Sequence, residues 1–153
     1  MQLKINDIAP NFSIIDTDRK IVNLSDFIGK KIILAFYPGA FTGVCEKELC
    51  TFRDSLQNFS SLNAQVIGIS VDSPFANKAF ALKNNLTFSL LSDYTREVSK
   101  QYGGVHEDFA QMKGYSVSKR SVFVIDESGT IKYIWVTENP GVEPNYDEIK
   151  SYL

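Results

Sequence analysis

Apolar and amphipathic stretches alternate along this chain of 153 residues. Lys31–Tyr37 and Gln65–Val71 are nearly continuous apolar runs rich in β-branched residues, the pattern of strands buried on both faces. Phe88–Leu91 is a shorter strand candidate. Ser121–Asp126 and Ile131–Val136 flank Glu127-Ser128-Gly129-Thr130, which predicts a hairpin. On its second arm Ile131, Tyr133 and Trp135 alternate, which reads as packing on one strand face.

Helical spacing fills the intervals. The strongest helix runs from Gly43 to about Phe59, where Cys45, Leu49, Phe52, Leu56 and Phe59 recur at steps of four, three, four and three as one apolar stripe. A second starts at Ser73-Pro74, a cap followed by proline at the first helical position, and runs to about Asn84. A third, roughly Thr95–Tyr102, stops at Gly103-Gly104. Tyr146–Leu153 predicts a short terminal helix, and Val105–Lys119 gives no clear pattern. Strand–helix alternation followed by a hairpin predicts an α/β fold with a mixed central sheet flanked by helices. With no repeat, low-complexity tract or linker, a single domain over residues 1–153 is expected.

Composition narrows the function. The hydrophobic fraction of 44% and charged fraction of 22% are ordinary for a globular chain. A net charge of −2 with no basic run gives no footprint for nucleic acid. No stretch approaches the roughly 18 apolar residues of a membrane span, and Met1–Pro10 lacks the apolar segment of a secretory signal. A cytoplasmic protein is expected. Two cysteines are too few for a disulfide scaffold, and they leave a reactive pair, a metal site or inert thiols. Cys45, Cys50 and the single His106 make at most three ligands where structural zinc wants four, which weakens the metal option. His106 itself reads as a surface residue rather than a catalyst.

The informative stretch is Ala35–Cys45. A buried strand ends, Pro38 breaks it, and a helix begins near Thr42, so Cys45 falls in the first helical turn. There free N–H groups and the dipole favour an anion, and thiolate is the nucleophilic form. Cys50, five residues on, is rotated about 140° away, with a Cα separation of roughly 8–9 Å. A disulfide wants about 5.5–6 Å. A bond between the two therefore requires the helix to unwind locally. Otherwise Cys45 is a small core residue and Cys50 a plain surface thiol. The C-x4-C spacing also differs from the C-x2-C of general disulfide oxidoreductases.

Pro38, Thr42 and Cys45 reproduce P-x-x-x-T-x-x-C, and on this motif the chain resembles the peroxiredoxins. The likeness covers nearly all of it, through APNFSIIDTDRKIVNLSDFIGKKIILAFYP, VIGISVDSP and RSVFVIDESGTI. It implies a thioredoxin-like fold and peroxidase activity on hydrogen peroxide and organic hydroperoxides, with no metal, haem or flavin. By resemblance Cys45 is the peroxidatic cysteine, Thr42 holds the peroxide with its hydroxyl, and Pro38 shields the thiol from water. Arg120 matches the family's distal active-site arginine, whose charge favours the thiolate and steadies the polarised O–O bond; its alternative is a solvated charge opening a strand. Cys50 resembles the resolving cysteine of the PrxQ (bacterioferritin-comigratory-protein-like) subgroup, regenerated by a thioredoxin-type dithiol donor. Ala40–Cys45 is more similar to the one-cysteine AhpE-type loop, which keeps an external resolving thiol open. Glu48 matches a PrxQ glutamate, either an arginine partner or an ordinary solvated residue. Phe41, a large aromatic in a Gly-flanked loop, is expected to be partly exposed and to serve a homodimer contact through Pro38–Val44. Two rivals stand outside peroxidase chemistry: a thiol–disulfide oxidoreductase and a non-enzymatic redox sensor.

Overall fold

The computed structural model describes residues 2–55, 59 and 61–153. Seven strands form one sheet: β1 (Ser13–Asp16), β2 (Ile21–Asn23), β3 (Lys31–Phe36), β4 (Ala64–Ser70), β5 (Ser89–Ser92), β8 (Ser121–Ile125) and β9 (Ile131–Val136), in the order β2-β1-β5-β4-β3-β8-β9. The central β3, β4 and β5 run parallel, and the β1–β2 and β8–β9 hairpins join antiparallel. Among the described residues, α-helices run over α1 (Gly43–Asp54), α2 (Pro74–Lys83), α3 (Glu97–Gln101) and α4 (Tyr146–Lys150). No helix among the described residues is long and apolar enough to cross a membrane.

The period of two in β3 divides the core. Ile33, Ala35 and Tyr37 face Leu49 and Phe52 of α1, Phe80 of α2 and Ile149 of α4. Ile32, Leu34 and Phe36 face Val98 of α3, Tyr102 and the N-terminal segment at Phe12 and Leu24. Both sets are buried, which is why this strand reads as a continuous apolar run. Ser73 caps α2 by accepting from the Ala76 amide at 3.1 Å. The β8–β9 turn is held by Asp126, whose carboxylate accepts from the amides of Ser128 and Thr130 at 3.0 and 2.9 Å.

Several boundaries differ from the sequence expectations. The β1–β2 hairpin has no counterpart in the sequence expectations: its strands are short and half-buried, and the Lys20 amide closes its turn by donating to the Asp16 carboxylate at 3.0 Å. Helix α3 begins only at Glu97, because Arg96 is left-handed (φ 67°) and the Asp93 carboxylate supplies the cap to Val98 and Ser99. Ile131 does not share a face with Tyr133 and Trp135. A bulge at Val124/Ile125 turns it into the opposite core. The unassigned Val105–Lys119 holds a small pair, β6 (Val105–His106) with β7 (Val117–Ser118), around a left-handed turn at Asp108, Ala110 and Gln111. Helix α1 ends at Asp54, short of the expected Phe59, with Ser55 as its C-cap. Of the expected apolar stripe, Leu56 lies outside the described residues, while Phe52 on α1 and Phe59 beyond it are fully buried with ring centroids 6.0 Å apart. Replacing Phe52 by Ala leaves a hole against Phe59 and Tyr146. It is expected to cost about 3–5 kcal/mol, read as a lower urea midpoint with little change in slope.

Candidate active site

β3 ends where Pro38 interrupts it, and the chain turns through Gly39–Phe41 into α1. The turn is fastened to the sheet by Asp72, which accepts from the Ala40 amide at 2.8 Å and from the Ser70 hydroxyl at 2.8 Å. Thr42 stands at the N-cap with its hydroxyl donating back to the Gly39 carbonyl at 2.7 Å. Cys45 therefore lies in the first turn of α1, as its spacing predicts, and it is fully buried.

Arg120 arrives from the other side. β3 and β8 pair antiparallel with Phe36 opposite Ser121, so the residue before Ser121 reaches the level at which β3 gives way to Pro38. The residue is buried, at 1% exposure. Nη2 donates to Cys45 Sγ at 3.1 Å, and Nη1 donates to Glu48 Oε1 at 2.8 Å. The Pro140 carbonyl accepts from Nε and Nη2 at 3.2 and 2.9 Å, which fixes the fork. Arg120 is thus no solvated strand opener, and Glu48, also fully buried, is no solvated helix residue.

The electrostatics run against the simplest expectation. Burial pushes the Cys45 thiol above its ordinary value, and Arg120, the Thr42 hydroxyl and the Gly39 amide pull it back without cancelling the effect. A helix start alone therefore does not make this cysteine acidic. Burial likewise lifts Glu48 to about 7, opposed by Arg120. Its second oxygen, Oε2, is buried with no partner among the described residues.

Cys50 does not point at Cys45. It is half-buried on the side of α1 that meets α2, and its thiol donates to Asn84 Oδ1 at 3.5 Å. Both cysteines sit inside the regular helix as free thiols, so the geometric bar to a direct bond stands. Pro38 is buried behind the loop. Phe41 is 48% exposed at φ 64°, its ring packed edge-on to Phe80 at 5.3 Å. His106 stacks on Phe109 at 6.0 Å in the β6–β7 insertion. Gly39 and Pro140 join the site through backbone atoms, which no side-chain pattern in the sequence marks.

A strand, a proline-broken loop and a thiol at a helix start, faced by a buried arginine from a neighbouring strand, make a candidate cysteine-centred site on a thioredoxin-like fold. The AhpC/TSA family description matches residues 5–134, and the chain belongs to this family, the peroxiredoxins. It is 41% identical over 128 residues to chloroplastic Peroxiredoxin Q of Triticum aestivum, covering 84% of this chain and 57% of that protein. Identity to Peroxiredoxin Bcp of Escherichia coli is 39% over 133 residues, 87% of this chain and 85% of the other. Among solved structures, a PrxQ mutant of Xylella fastidiosa superposes with a TM-score of 0.85 at 25% identity, covering 99% and 98% of the two chains. The chain thus spans a little over half the length of the Triticum relative.

Glu48 supplies a pH signature. In the fold it keeps its proton to about pH 7, whereas an unfolded glutamate loses it near about pH 4.3. Its contribution to stability is full below the unfolded value and is lost as pH rises through the folded one. Glu48→Gln, neutral at every pH, is expected to flatten the denaturation midpoint between about pH 4.3 and 7 relative to the parent. Parallel profiles for the two proteins would show that Glu48 ionises as freely in the fold as in water.

Proposed function

We propose that the chain is a thiol peroxidase acting on hydrogen peroxide and organic hydroperoxides. The observation that carries this reading is the Arg120 guanidinium held 3.1 Å from a buried Cys45 sulfur. Cys45, as thiolate, attacks one peroxide oxygen. The S–O bond forms as the O–O bond breaks, and the second oxygen leaves as water or alcohol after taking a proton. Arg120 stabilises the charge that moves onto oxygen in this step, and because the Pro140 carbonyl already aims it at the sulfur it needs little reorganisation. The Thr42 hydroxyl joins it by turning its proton from the Gly39 carbonyl to the peroxide. Pro38 keeps bulk water from the sulfur. Cys50 then attacks the sulfenic sulfur, closing a disulfide and releasing the oxygen as water, and a thioredoxin-type dithiol donor returns both thiols. This chemistry suits a reducing compartment such as the cytoplasm.

Cys45→Ser is expected to abolish peroxide consumption while the protein stays folded, and Cys50→Ser to leave the first oxidation intact but block the intramolecular disulfide, read by mass spectrometry of the oxidised protein. Turnover in Cys45→Ser would place the nucleophile elsewhere. Parental turnover of Cys50→Ser with a thioredoxin-type donor would make this a one-cysteine enzyme, as the Ala40–Cys45 loop resembles. Consumption of disulfides without peroxide would favour a disulfide oxidoreductase.

The reading extends to a homodimer through Pro38–Val44, since Phe41 presents an apolar ring at the rim of the site. Sedimentation at roughly tens of micromolar is expected to give twice the monomer mass, and Phe41→Asp to return it to one. A parental monomer at that concentration rules the contact out.

A further inference from the structure

The end of α2 touches every turn of the helix that has to unwind. Lys83 Nζ pairs with Glu46 Oε1 in the first turn at 3.2 Å and lies 5.5 Å above the Phe41 ring. Asn84, the next residue and the cap of α2, accepts the Cys50 thiol on its side-chain oxygen at 3.5 Å. The Asn84 carbonyl accepts from Arg53 Nη1 at 2.6 Å in the last turn. Asn84 is itself fixed, its amide nitrogen donating to the Phe80 carbonyl at 3.1 Å, on a residue that is fully buried. Two consecutive residues of one helix end therefore hold α1 at three points and hold Cys50 turned away from Cys45.

We propose that Lys83 and Asn84 form a latch that sets how readily α1 opens, and so divides the Cys45 sulfenic acid between two fates. This rests on the peroxidase reading above. In an opened helix Cys50 attacks the sulfenic sulfur, and the disulfide forms as the oxygen leaves as water. In the closed helix the sulfenic acid stays in its pocket. There a second peroxide molecule transfers an oxygen to it, giving sulfinic acid and water, a product that dithiols do not reverse. Asn84 and Lys83 are positioning residues: they reach Cys50 and α1 but not the peroxide.

Rapid-quench mass spectrometry of the full chain separates the steps. Asn84→Ala is expected to leave the second-order oxidation of Cys45 unchanged and to speed disulfide formation roughly two- to tenfold, as loss of one hydrogen bond allows. The peroxide dose that converts half of Cys45 to sulfinic acid rises by a like factor. Lys83→Ala shifts both readouts the same way, by less, and serves if Asn84→Ala does not fold. Lys78→Ala, on the same helix but paired with Asp18, leaves both unchanged. Parental disulfide rates and parental sulfinic yields in Asn84→Ala and Lys83→Ala overturn the latch, as does an equal shift in Lys78→Ala. If Cys45 is not oxidised by peroxide in the parent protein, the peroxidase reading has failed instead.

Discussion

One buried cation faces two buried acids, and the rest of the site is arranged around that arithmetic. Arg120 touches Cys45 Sγ and Glu48 Oε1 through adjacent nitrogens, with all three side chains essentially without solvent. An anion at such depth is costly unless paired, and a single guanidinium compensates about one negative charge. The pocket therefore favours either a carboxylate or a thiolate, with a proton on the other. The upward shifts of both groups come first from burial, which Arg120 opposes in each without cancelling it. The Pro140 carbonyl keeps the fork aimed, so the charge does not swing toward one acid.

Helix α1 carries two demands that oppose each other. Packing of Leu49 and Phe52 into the core holds the first turn where Cys45 meets Arg120 and Thr42. The same regular helix keeps Cys50 five residues away and on another side. A rigid α1 suits attack on peroxide and forbids resolution; a loose one does the reverse. Local opening below the global unfolding free energy reconciles the two, and the contacts that tune it must lie on the outer side of α1, away from the thiol. That is where α2 supplies Lys83 and Asn84.

The parts of the fold that sequence made legible are those with strong local patterns. The continuous apolar runs of β3 and β4, the Ser73-Pro74 start of α2 and the Gly129 turn were placed within a residue or so. Cys45 and Thr42 were legible because a helix start is written in neighbouring residues. Arg120 and Glu48 are 72 residues apart, and only the β3–β8 register brings them together, so their pairing rested on resemblance. The direction of the thiol's shift was not legible, since burial is a property of the assembled core. The β1–β2 strands were missed because short, half-exposed segments carry too few apolar positions to show a period of two.

A thiol pushed upward by burial is still compatible with rapid attack on the proposed reading. Each unit of increase lowers the thiolate fraction tenfold at a pH well below the pKa. Thiolates also become better nucleophiles as their pKa rises, with a Brønsted slope of about 0.4–0.5 in disulfide exchange. If a similar slope governs attack on peroxide, one unit upward loses roughly a factor of three to four rather than ten. Against that stands the buried guanidinium of Arg120, which meets the charge passing from sulfur to oxygen without first shedding water. Moving Cys45 to the surface would recover thiolate and lose that environment. Burial with one shared cation is the arrangement in which the small loss of nucleophile is offset by stabilisation that acts mainly as the O–O bond breaks.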